Sequence, residues 1–141
     1  MNIESARKWL RGGLIALAAL QTFASAWQYI FPRSFYDDFP TVNLDPPYNE
    51  HLITDIGGLG LALAGILWFA AWALDNKVMI SALIGYLIYA ALHFLFHVRH
   101  FEHFSLPEAL GVGTGLGAEV VLAVALLYLA GRVYQAQRTA K

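Results

Sequence analysis

Long apolar runs separated by short polar turns dominate the chain. LIALAALQTFASAWQYIF follows a basic start, and then come LITDIGGLGLALAGILWFAAWAL, VMISALIGYLIYAALHFLFHV and ALGVGTGLGAEVVLAVALLYLAG. Each run is long enough to supply the ~20 helical residues that cross a hydrocarbon layer of about 30 Å. A soluble helix of that length carries a charged face, which these runs lack. The pattern predicts helices at about 12–31, 46–74, 78–103 and 106–133, with a loop at 32–45. These helices make one all-α, antiparallel four-helix transmembrane bundle.

The punctuation between the runs supports the same boundaries. Pro32 stops the first helix, and Asp45-Pro46-Pro47 reads as an N-cap with proline in the first turn of the second. Asp75-Asn76-Lys77 is a tight turn that makes the second and third helices a hairpin. Ser105-Leu106-Pro107-Glu108 fits a capping box at the start of the fourth.

Composition agrees with a membrane class. Apolar residues make up 58% of the chain and charged residues 13%, against about 45–50% and 25% in soluble proteins. A net charge of −1 without a basic patch excludes a nucleic-acid partner. The chain has no cysteine, so disulfides, thiolate nucleophiles, Fe–S clusters and cysteine zinc sites are excluded. Arg7, Lys8 and Arg11, an apolar stretch and Ala24-Ser25-Ala26 imitate a cleaved secretory signal. The apolar run continues through Trp27 to Phe31, however, and favours an uncleaved first helix. Lys and Arg set the orientation: seven lie in the two tails and the 75–77 turn, and only Arg33 and Arg99 lie in the other two connections. The positive-inside rule then places both termini in the cytoplasm, for a multi-pass protein of the bacterial inner (plasma) membrane.

Four of the five histidines fall within HFLFHVRHFEHF (93–104). His93, His97 and His100 share a face of the third helix, with Tyr86 on the same stripe and His103 about 80° away. The second helix opens with His51 and Asp55 at i, i+4. Counted from the 75–77 turn, Asp55 is level with His97 and His51 with about residue 101. Counted across Ser105, Glu119 on the fourth helix is level with about residue 91. Gly111 and Gly115 share the face of Glu119, which predicts that this face meets another helix. The first helix adds Gln21, Ser25 and Gln28. Convergence of His51, Asp55, His93, His97, Glu119 and His100 predicts a site for a divalent transition metal (Zn, Fe, Cu or Mn) between the second, third and fourth helices. Ionisable groups in hydrocarbon cost about 3 kcal/mol and mark functional positions.

Plainer readings stand beside this one. His100 and His103 suit a solvated interface, and His93 and His97 suit a metal-free polar core with Asp55, Glu119 and Tyr86. Phe94, Phe96, Phe101 and Phe104 read as lipid-facing or belt residues, though they also suit a haem wall. The glycines of the second and fourth helices read as close-packing positions. The functions that remain open are redox chemistry or metal handling, b-type haem binding by His51 and a third-helix histidine, a proton-coupled carrier, and a non-catalytic accessory or assembly subunit. A homo-oligomer or a larger membrane complex is compatible with each.

YDDFP (36–40) and PYNEHLITDIGGLGLALAG (47–65) resemble small bacterial four-helix membrane proteins of the DoxX-like kind. The likeness covers about residues 10–130 in topology and 36–65 in motif. It implies a four-helix membrane fold in which Asn49, Glu50, His51, Leu52 and Asp55 form a shared element. The name-giving member resembles a quinone-linked sulfur oxidoreductase subunit. No residue here matches a sulfur or quinone site, and the third-helix histidines are not part of that motif.

Overall fold

A computed structural model describes residues 2–44 and 47–139. It contains α1 (Ile3–Ile30), α2 (Pro32–Asp38), a 3-10 turn at Val42–Leu44, α3 (Glu50–Ala73), α4 (Asn76–Arg99) and α5 (Leu106–Thr139). The four expected spans correspond to α1, α3, α4 and α5, with boundaries set by local caps. Asn2 caps α1 by accepting from the Ser5 N–H at 2.7 Å, so the helix begins nine residues earlier than expected and carries its basic residues with it. Asn49 caps α3 by accepting from the Leu52 N–H at 3.1 Å. The proposed cap at Asp45-Pro46 lies outside the described residues. Leu74 closes α3 in the left-handed region (φ 47°), and the Asp75 carboxylate accepts from the N–H groups of Lys77 and Val78 to start α4. At the start of α5, Ser105 donates its N–H and hydroxyl to the Glu108 carboxylate at 2.8 and 2.6 Å; the N–H bond is the back-reaching half of the S-x-x-E capping box.

The third span stops at Arg99, four residues short of the expected end at 103. His100 caps α4 in a non-helical conformation (φ −135°, ψ 51°) and leaves the helical stripe. The expected 32–45 loop is partly helical. The chain bends by 116° between α1 and α2, with proline at the first position of α2, where no N–H is needed.

The helices form a closed ring in the order α1, α3, α4, α5. The α1–α3 and α4–α5 seams are the most extensive, and α3 and α5 occupy opposite corners without close backbone approach among the described residues. Leu10, Leu14, Leu17, Leu67, Met79 and Leu83 fill the core between them and are almost fully buried. At one end, Arg7 Nη2 donates to the Leu74 carbonyl at 2.9 Å and Arg11 Nε donates to the Ala71 carbonyl at 3.3 Å. Asn76 Nδ2 donates to Gln137 Oε1 at the same end. The start of α1, the α3–α4 turn and the end of α5 therefore share this end, called here the termini end. The bent α2 and the α4–α5 turn occupy the other, called the strap end.

Three helices, α3, α4 and α5, are long and apolar enough to cross a membrane; α1 joined to α2 makes a fourth. Large apolar side chains cover the outside, including Trp72 at 76% exposure and Leu59 at 73%. Such a surface suits lipid, and the chain reads as a multi-pass membrane protein.

Candidate functional site

The six residues expected to converge fall in four separate places. His51 Nε2 lies 3.1 Å from Asp55 Oδ2, but both side chains are on the outside of α3, 87% and 60% exposed. His93 and His97 meet edge to face on α4, with ring centroids 4.8 Å apart. Glu119 on α5 accepts a hydrogen bond from the Tyr86 hydroxyl at 2.9 Å. His100 Nδ1 lies 2.7 Å from the Phe96 carbonyl, and its ring stacks on Phe96 at 4.3 Å. Among the described residues, no group of three or more His, Asp or Glu could together hold a metal ion.

Two physical facts account for the separation. Equal depth along a hairpin does not make side chains face each other, and the i, i+4 pair His51–Asp55 is turned away from α4. The second fact concerns the pivot of the α4–α5 turn. The six residues 100–105 separate the helices, so the pivot lies near 102–103 and not at Ser105. Glu119 is therefore level with Tyr86, seven residues and two helical turns below His93, or about 10 Å at 1.5 Å per residue.

The interior holds a different polar group, to which every helix of the ring contributes. From α1, Gln21 Nε2 donates to Ser25 Oγ at 2.9 Å, and both residues are buried. From α4, the Tyr89 hydroxyl points toward the Gln21 side chain across the bundle axis. Tyr86 is fully buried and carries the bond to Glu119. From α3 comes space: a Cβ on Gly60 would lie 2.0 Å from Ser25 Oγ and 2.7 Å from Gln21 Nε2. A Cβ on Gly57 would lie 2.7 Å from the backbone nitrogen of Tyr29. Glycine at these two positions lets α1 and α3 close over the buried amide and hydroxyl.

The layer extends toward the strap end along one face of α4. The Tyr89 ring lies nearly parallel to that of His93 (5.7 Å, 17°), His93 touches His97, and His97 meets the edge of Phe104 at 6.2 Å. Tyr89 was absent from the sequence-derived set, although it sits four residues before His93 and three after Tyr86. Continuing the histidine stripe downward by one more turn would have found it.

Two opposing energies act on Glu119. Transfer of an ionised carboxylate to mid-bilayer costs about 3 kcal/mol by insertion scales. A hydrogen bond to a charged group returns about 1.5–3 kcal/mol. Burial and the phenol bond therefore act on Glu119 in opposite directions.

The expected roles of glycine and phenylalanine on the α4–α5 seam change as well. Phe94 and Phe101 fill notches at Gly117 and Gly113, reaching within 3.5 and 3.7 Å of a Cβ built there. They pack against α5 instead of facing only lipid. Gly111 and Gly115, expected to meet a helix, have nothing within 4 Å of that position.

At the strap end, Arg33 pairs with Asp37 through bonds of 2.6 and 2.9 Å and lies over the Tyr48 ring at 4.9 Å. Trp27 packs edge-on against Phe35 and Phe39, about 6 Å away, and donates its indole N–H to Ser34. Partial burial, followed by the charge of Glu50, pushes the Tyr48 phenol above its ordinary range. Asp37 and Asp38 are exposed at the end of α2.

No family model, curated protein or solved structure matches the chain.

Proposed function

We propose that the chain is a multi-pass protein of the bacterial inner membrane, of the DoxX-like kind, with cytoplasmic termini and a retained first helix. Its histidine/carboxylate groups in the outer half handle a divalent transition metal or support redox chemistry on a small or lipid-soluble substrate. The grouping of both tails and the α3–α4 turn at one end supports the orientation, because those segments carry seven of the nine Lys and Arg residues.

The observation that carries the site is the His93–His97 pair, two half-buried imidazoles at i, i+4 with rings 4.8 Å apart. An ion that takes imidazole nitrogens at about 2.0–2.1 Å can bridge such a pair. Its remaining ligands would come from water, substrate or a second copy, since Glu119 and the His51–Asp55 pair lie elsewhere. Metal content of the full chain purified from metal-replete cells tests this. The expected outcome is bound metal that falls at least tenfold in His93→Ala and His97→Ala and persists in Asp55→Ala. A wild-type stoichiometry near zero would sink the metal reading. The absence of a Soret band would likewise end the haem alternative.

A second reading, an accessory subunit of a membrane complex, is favoured by α5. Only 11% of its most apolar window is buried, against 33% for α3 and 28% for α4. That reading predicts a co-purifying membrane partner and normal assembly after His93→Ala or His97→Ala.

A further inference from the structure

We infer that Glu119 and Tyr86 form a reversible proton-binding site inside the bundle, and that this site does not depend on the metal reading. Glu119 is the sole carboxylate side chain after Glu108, and it sits thirteen residues into α5, about 20 Å from the helix start. Among the described residues, no Lys or Arg forms a salt bridge with it. The groups that face it are two phenols of α4: Tyr86, which donates to Oε2 at 2.9 Å, and Tyr89, which is near enough for electrostatic interaction. Tyr89 lies in turn beside Gln21 of α1. A carboxyl in apolar surroundings without a cationic partner is neutralised by taking a proton, whereas the phenol bond favours giving it up. The two influences oppose each other at one atom pair, which suits a group that loads and unloads.

Tyr89, His93 and His97 follow one another along the same helix face between this acid and the strap end. In the step itself, hydronium from that side gives its proton to the Glu119 carboxylate and leaves water. The Tyr86 O–H bond stays intact, and nothing is oxidised or reduced.

Dicyclohexylcarbodiimide tests the site, because this apolar reagent adds across a protonated carboxyl and leaves a stable N-acylurea readable by peptide mass spectrometry. The full chain in proteoliposomes, treated with a metal chelator, should be labelled at Glu119 several-fold more than at Glu50 or Glu108. That labelling should fall about tenfold for each unit of pH above the midpoint of its titration. Tyr86→Phe, which keeps the ring and removes the donor, should raise Glu119 labelling in alkaline buffer several-fold. Labelling absent from Glu119, unchanged by pH, or equal in wild type and Tyr86→Phe would overturn the inference. Because the protein is stripped of metal, success or failure here is separate from the metal-content result. Glu119→Gln should abolish the adduct; an adduct of equal yield in that variant would assign the signal to another residue and defeat the proposal.

Discussion

The α1–α3 and α4–α5 seams are built from the same residue types and work differently. On α1–α3, glycine is pressed against backbone and buried polar atoms: Gly57 meets the Tyr29 nitrogen, and Gly60 meets Ser25 and Gln21. On α4–α5, glycine receives the far edges of phenylalanine rings, and Gly111 and Gly115 meet nothing. A backbone, or a short buried hydroxyl tied to a neighbouring amide, cannot retreat from an added methyl group, but a ring edge can tilt. The first seam is therefore a clamp and the second an adjustable joint. The titratable interior groups Tyr86, Tyr89, His93, His97 and Glu119 all belong to the joint.

Substitutions can break this contrast in graded steps. Gly60→Ala should have the largest effect, destabilising the protein in detergent by about 3 kcal/mol, the upper end of ordinary overpacking. Thermal or SDS-driven unfolding would read it. Adding Ser25→Ala should recover part of that loss, because the methyl group would no longer meet the Ser25 oxygen; an additive double variant would argue against the clamp. Tyr86→Phe should cost about 1 kcal/mol, in the range of hydrogen bonds inside membrane bundles. Gly117→Ala should cost less than 1 kcal/mol, since Phe94 needs to yield only slightly at 3.5 Å. Gly115→Ala should leave unfolding unchanged within about 0.5 kcal/mol. A large loss there would mean that this face is covered in the assembled protein, and would favour the accessory-subunit reading.

Much of the architecture was legible from the apolar runs and their caps. The 75–77 turn, the Ser105–Glu108 cap and four long helices need only local signals. Contacts between helices were less legible because they depend on which residue pivots a turn. Moving the α4–α5 pivot from Ser105 to near 102–103 shifts the partner of Glu119 from about residue 91 to Tyr86. His51 and Asp55 illustrate a second gap: depth fixes height along a helix, whereas the angle around it decides what a side chain meets. Gln21 and Ser25 stood out as polar residues in an apolar run, but the space they need comes from Gly57 and Gly60 on another helix. No pattern within α1 alone reports that space.

Arg7 and Arg11 close the carbonyl end of α3 across 67 and 60 residues of chain. During synthesis those carbonyls do not yet exist when α1 emerges, so the two guanidiniums cannot make these bonds until α3 follows. They become helix caps after α3 has been laid beside α1. The latch therefore closes late, after about half of the chain has been made. Replacing either with a neutral residue would remove its part of the latch, and replacing it with lysine would keep the charge but lose the planar fork that suits a carbonyl.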